Sequence, residues 1–167
     1  MNQAGITVHD RPVVDAALSR AEETEAPAAA LELADGRMIT GKTTDLLGPC
    51  AALLLNALKE LAGIPHSQPV ISPAAIEPIQ TLKTQYLGSK NPRLHMDEVL
   101  IALSVSAASD PNAQKALEQL PNLKGCQAHT SVMVSDVDRK LFMKLSIQAT
   151  FEAKYENNSV IFSKKGI

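Results

Sequence analysis

The apolar positions of this chain change period several times, and each change marks an element. After Asp10, which offers an N-cap oxygen, and Pro12, which suits a first helical turn, Val13, Ala16, Ala17 and Ala21 share one face. That spacing predicts a helix from Pro12 to about Thr24. Short apolar runs at residues 27–33 and 37–40 flank Ala34-Asp35-Gly36. They predict a hairpin, because a tight turn needs the positive φ that glycine adopts without steric cost. Gly48-Pro49 then opens a helix through residue 62, whose Leu53, Leu54, Leu55, Leu58 and Leu61 are too many for a narrow stripe. This helix is expected to be buried over much of its surface.

Residues 69–72 read as a short apolar strand, and Ser72-Pro73 starts a helix through Ile76, Ile79, Leu82 and Tyr86, with Pro78 in its first turns. A polar loop at 88–94 leads to an apolar helix over 96–108, with Val99, Leu100, Leu103 and Ala107 in phase. A short helix from Asp110-Pro111 reaches Leu120 and stops at Pro121. Residues 130–134 read as a buried strand, 136–145 as a helix with Val137, Leu141 and Leu145 in phase, and Ile147, Ala149, Phe151 and Ala153 alternate as in a strand. Residues 156–167 form a tail, either disordered or a last edge strand. Helices alternating with strands predict one α/β domain over residues 1–155. Its expected form is a three-layer α-β-α sandwich around a mixed sheet, the hairpin supplying the antiparallel part.

Composition narrows the class of function. Among 167 residues, 45% are hydrophobic but only three are Phe, two Tyr and none Trp, so the core is expected to be built from Leu, Ile, Val and Ala. Sixteen Lys and Arg against eighteen Asp and Glu leave a formal charge of −2, which argues against a nucleic-acid partner whose affinity would rest on a basic excess. No apolar run approaches the roughly 20 residues that span a bilayer, and the first residues lack the basic and apolar regions of a leader. A cytoplasmic chain without a membrane partner is expected. The two cysteines lie too far apart in sequence to suggest a disulfide framework.

Three constellations carry candidate chemistry. Gly36-Arg-Met-Ile-Thr-Gly41-Lys42-Thr43 satisfies the phosphate-loop pattern, yet such a loop must follow a strand and open a helix. Here the predicted helix begins only near Pro49, so a hairpin's return strand is the expected outcome. The loop Ser89, Lys90, Asn91, Arg93 and His95 places cationic and polar groups before a helix, with Asp97 and Glu98 in its first turn; it is a candidate ligand site. Cys126-Gln-Ala-His129 could join His95 with Asp97 or Glu98 as a metal or nucleophile site, provided that they meet in space. Without the second paired motif of a convincing zinc site, no metal or cofactor is assigned.

The order of elements from Ala28 to Ile79 resembles the core of cytidine deaminases, which hold zinc through a Cys or His two residues before a catalytic Glu and through two later cysteines. Cys50 takes the first ligand position, but Ala52 stands where the Glu would be, and Ala74 and Glu77 stand at the two thiolate positions. The resemblance implies a deaminase-like topology with an emptied catalytic centre.

A more specific resemblance rests on Tyr86-Leu-Gly-Ser-Lys-Asn-Pro-Arg-Leu-His95 with Asp97-Glu-Val-Leu-Ile-Ala-Leu103, on Leu117-Glu-Gln-Leu-Pro121, on Leu123-Lys-Gly-Cys126-Gln-Ala-His129 and on the opening Met1-Asn-Gln-Ala-Gly-Ile6. From Met1 to Tyr155 the chain closely resembles the C-terminal region of the bacterial family called domain of unknown function eighteen-forty-six. Full-length members are longer and carry upstream a Rossmann-like, nucleotide-type portion with its own Gly-Ser-Gly-Lys loop; some bear the label of ATP-dependent peptidase. The resemblance implies a separately encoded, truncated or excised C-terminal domain whose partner is that larger portion. The leading expectation is therefore a non-catalytic ligand-binding or assembly module. The alternatives are a hydrolase or nucleotide-dependent enzyme fragment using His95, Asp97, Glu98, Cys126 or His129, and a homo-oligomerisation domain.

Overall fold

A computed structural model describes residues 11–153. Helix α1 (Pro12–Thr24) leads into strands β1 (Ala28–Glu32) and β2 (Met38–Lys42), followed by α2 (Pro49–Ala62) and α3 (Pro73–Thr81), which runs on into a π-helical turn at Leu82–Tyr86. Then come α4 (Met96–Ala107), α5 (Pro111–Leu117), a 3-10 turn at Leu120–Leu123, β3 (Gln127–Thr130), α6 (Asp136–Lys144) and β4 (Gln148–Phe151). The strands form one mixed sheet in the order β2-β1-β3-β4, with β1 antiparallel to both neighbours and β3 parallel to β4. Among the described residues no helix is long and apolar enough to cross a membrane.

Strand β1 is the axis of the molecule. Its Ala28, Ala29 and Ala30 are wholly buried, and their small side chains let helices approach the sheet from both sides. Side-chain alternation sends Ala30 to one face, where it packs with Val13, Val14 and Ala17 of α1. It sends Ala29 and Leu31 to the other, where α2, α4, α5 and α6 contribute Leu53, Leu58, Leu103, Ala113 and Phe142. Each fully buried Leu or Phe there adds about 1.5–3 kcal/mol of transfer free energy.

The hairpin, α1, α2 and α6 lie close to their expected positions. Between Gly36 and Lys42 the chain is turn and strand, and α2 begins only at Pro49, so the phosphate-loop pattern has no structural counterpart. Gly41 serves packing instead: a Cβ there would stand 2.3 Å from the Leu53 backbone nitrogen, so its absence lets α2 lie directly on β2.

Three expectations are corrected. Residues 69–72 form no strand; Pro69 has no N–H for a ladder, and Val70 and Ile71, 2% and 5% exposed, fill the core as loop residues. The buried strand expected at 130–134 is β3 at Gln127–Thr130, because pairing with β1 fixes the ladder there and the β-branched stretch after it turns away from the sheet. Pro121 sits inside a 3-10 turn, and the preceding α5 ends at Leu117. The Asp10 cap and the tail at 156–167 lie outside the described residues.

The Gly41 contact yields a direct prediction. Gly41→Ala drives a methyl into backbone that no rotamer change can clear, so its cost is expected at or above the upper end of the roughly 1–3 kcal/mol typical of overpacking. Gly36→Ala, at φ +92 with open space around it, is expected to cost about 1–2 kcal/mol from backbone strain alone. Urea unfolding of both variants measures the difference.

Candidate functional site

Beyond the carboxyl end of β3 the chain must leave the sheet and begin α6, and this end of a parallel pair is where α/β folds tend to form ligand crevices. Ser131 anchors the departure by accepting a hydrogen bond from the Ala28 N–H at 2.9 Å. Ser135 then caps α6, its hydroxyl accepting from the Asp138 N–H at 3.2 Å.

The loop before α4 is fastened opposite. Leu94, fully buried, is bridged in parallel to Leu47: its N–H donates to the Leu46 carbonyl at 2.9 Å and its own carbonyl accepts from Gly48 at 3.2 Å. Arg93 Nε donates to the Thr44 carbonyl at 2.6 Å. Lys83, only 8% exposed, donates to the Arg93 carbonyl and to Glu98 Oε1, the latter at 2.9 Å. That same oxygen accepts the His95 N–H at 2.8 Å and so caps α4. Burial pushes the Glu98 carboxyl up, but the Lys83 ammonium and the His95 N–H outweigh it and hold the group ionised below its ordinary range.

These loops and the starts of α2, α4 and α6 enclose a cleft of about 180 Å³. Its polar lining comprises Cys50, Asn91, Arg93, His95, Ser135 and Asp138. Asp138 joins two walls: its Oδ1 accepts the Met96 N–H, the first amide of α4, at 2.9 Å. Desolvation pushes its carboxyl above the ordinary range, as do the charges of Asp97 and Glu98; the Met96 N–H and His95 oppose the rise. The lining thus offers guanidinium, amide, imidazole, hydroxyl and a carboxyl group biased toward its proton-bearing form.

Asn91, Arg93 and His95 of the loop therefore meet in one cleft, whereas Ser89 and Lys90 are exposed and do not line it. Asp97 accepts the Glu98 N–H at 2.8 Å, and Glu98 is committed to Lys83 and the α4 cap. Cys126 and His129 are not brought to this cleft. Cys126 precedes β3, at its opposite end, beside a separate cleft of about 210 Å³. Burial pushes its thiol up, which disfavours a nucleophilic thiolate.

Cys126 and His129 are not brought to each other either, because residues three apart along a strand project to opposite faces. Cys126 joins the α2 face, whereas His129 aligns with Ala30 on the α1 face. There its Nδ1 lies 2.6 Å from Thr150 Oγ1 and its Nε2 2.7 Å from Glu152 Oε2. Arg11 extends this network to Gln127 Oε1 at 2.7 Å and Thr150 Oγ1 at 2.9 Å.

Asp138 and Ser135 carry a sequence signal that the apolar spacing masked. Placing Val137 in the apolar phase puts the helix one position out of register: Val137 is 44% exposed, whereas Asp138 and Phe142 face inward at 8% and 2%. A carboxylate at i, with Leu141 and Phe142 at i+3 and i+4, is an acid on a buried face. Ala74 and Glu77, at the two thiolate positions of the deaminase alignment, are exposed on α3 and away from the cleft. Among the described residues no three His, Cys, Asp or Glu side chains are placed to hold a metal ion.

Comparison with known proteins accords with the motif at residues 86–103. The family pattern described as Domain of unknown function DUF1846, C-terminal, matches residues 9–161. A UPF0371 protein of Corynebacterium glutamicum is 56% identical over 160 residues, and one of Corynebacterium efficiens 58%; each alignment covers 96% of this chain and 32% of the relative. A UPF0371 protein of Streptococcus thermophilus is 49% identical over 156 residues, covering 93% of this chain and again 32% of the relative. The chain spans about a third of the length of the curated relatives that it matches. With its family pattern running from residue 9 to residue 161, this chain belongs to the DUF1846 family and corresponds to that family's C-terminal domain.

Proposed function

We propose that this chain is a non-catalytic ligand-binding module of a longer protein, with its site in the cleft between the starts of α2, α4 and α6. The observation that carries the proposal is the meeting of Asn91, Arg93 and His95 with Cys50, Ser135 and Asp138, residues drawn from distant parts of the sequence. Because the lining mixes guanidinium, amide, imidazole and hydroxyl groups with a carboxyl group, the ligand class is a small polar molecule carrying both hydrogen-bond donors and acceptors, such as a nucleobase.

A deaminase-like layout belongs to the same proposal. The hairpin feeds α2, whose Cys50 lies at the cleft, and the helix across from it is α6, which opens Ser135-Asp136-Val137-Asp138 without a cysteine. Ala52 offers no proton acceptor near Cys50, which favours binding over turnover. The enzymatic alternative draws on the raised Asp138 carboxyl near His95, a pairing suited to acid–base work. Turnover of a nucleoside by the purified chain, lost on Asp138→Asn in a variant that still folds, would establish that alternative over the binding reading.

The module's second role is assembly with the portion that makes up the rest of its longer relatives. Ile101 and Val105, one turn apart on α4, are 61% and 70% exposed, and Tyr86 and Leu87 are 76% and 72% exposed. Glu98 ties the turn bearing Tyr86 to α4 through Lys83. Apolar side chains grouped in this way mark a surface that another part of a protein covers.

Titration with cytidine, uridine and adenosine, followed by amide shifts, is expected to move residues 48–51, 91–95 and 132–138 together for at least one nucleoside. No movement there for any of them overturns the binding reading. The raised Asp138 carboxyl gives a pH prediction with a definite sign. Between about pH 4, the ordinary carboxylate value, and the raised folded value, the unfolded state gives up the proton first, so stability falls as pH rises. Asp138→Asn removes that loss; thermal unfolding is expected to show a variant advantage that grows with pH above about 4 and disappears below it. Ile101→Ser with Val105→Ser is expected to leave this chain within about 0.5 kcal/mol of its original stability. The same pair should lower the unfolding temperature of a protein of full family length.

A further inference from the structure

A second groove lies on the outer side of the hairpin, away from the cleft described above. It encloses about 320 Å³ between α1, the edge strand β2 and the first turns of α2. Its polar lining is Arg20, Thr40, Lys42, Asn56 and His66, together with Thr44, and no Asp or Glu lines it. We infer that this groove binds a small oxyanion of the phosphate class.

Arg20 supplies the first argument. Its side chain lines the groove and brings a guanidinium charge to it. The guanidinium meets Glu23 through Nη1 at 3.5 Å, an exposed contact that solvent screens.

Strand register supplies the second. Flanking bonds from Leu33 to Arg37 at 2.9 Å and from Thr43 to Pro27 at 3.0 Å set the phase of the ladder. In that phase the Ala29–Gly41 and Leu31–Ile39 pairs exchange hydrogen bonds, so the N–H and C=O groups of Thr40 and Lys42 point outward from the sheet edge. Asn56 Nδ2 occupies the Thr40 carbonyl at 3.0 Å. The outward N–H groups of Thr40 and Lys42 then stand on the groove side with the Arg20, Lys42 and His66 side chains, and backbone N–H together with basic side chains is the donor set that oxyanions take.

Gly41 sets the groove's shape. By admitting the α2 backbone against β2, it brings Asn56 to the strand edge. The Gly41-Lys42 pair thus serves an anion through an edge strand, in a geometry unrelated to a phosphate loop.

The test is a low-salt amide-shift titration of the whole chain with inorganic phosphate and, separately, with glycerol 3-phosphate. Saturable shifts at Thr40, Lys42 and His66 are expected, with Lys42→Gln and Arg20→Gln each weakening the dissociation constant at least about tenfold, or about 1.4 kcal/mol. Lys115→Gln, on the distant α5, should leave binding unchanged. Tighter binding of the monoester identifies an organic phosphate as the ligand, and equal or weaker binding identifies the free ion. Lys42 is exposed, so its variant is expected to fold normally, which a thermal melt confirms. Shifts that fail to saturate, or an unchanged dissociation constant in folded Lys42→Gln, overturn the inference.

Discussion

Close approach of α2 to the hairpin is the constraint on which the rest of the molecule depends. Leu53 can lie against β2 only because Gly41 carries no side chain, and the small residues of β1 allow α1 equal access from the other face. With α2 seated so low, its buried length, Cys50 to Leu58, anchors the larger apolar cluster to which α4, α5 and α6 add their inward faces. The position of α2 also places Cys50 at one cleft and Asn56 at the other, so one packing contact orients residues of both candidate sites.

The cleft at the carboxyl end of β3 is held by bonds that do not depend on a ligand. Leu94 ties the loop to Leu46 and Gly48, Lys83 ties it to Glu98, and Asp138 ties α6 to α4. Such cross-links fix the loop that brings Asn91, Arg93 and His95 to the cleft, and walls formed in advance lower the ordering cost of any ligand. Asp138 is the costly member, since it is a buried carboxyl with acidic neighbours and a single backbone donor. A buried group of this kind is characteristic of functional sites.

Much of this was legible in the sequence, for identifiable physical reasons. The hairpin and the helices with strong apolar periodicity were visible because local pattern and tertiary environment agree there, as in Gly48-Pro49 followed by its leucines. The strand at 69–72 was misread because Val70 and Ile71 are buried without a ladder, and burial alone does not distinguish a strand from a plug. Strand β3 was displaced because cross-strand pairing with β1, a long-range contact, decided its register. Half of the cleft was legible through the loop residues; Asp138 and Ser135 were not, because the side chain that breaks the apolar phase of α6 is the one the site uses. Cys126-Gln-Ala-His129 showed the reverse, a suggestive spacing that strand geometry divides between two faces.

A crystal structure of the chain soaked in nucleosides gives the sharpest test of the cleft joining α2, α4 and α6 as a ligand site. Density is expected for a base between Cys50, His95 and Asp138, with Asn91 or Ser135 within hydrogen-bond distance of its edge. A well-ordered crystal whose cleft holds only water, or a base bound on another face, would contradict it.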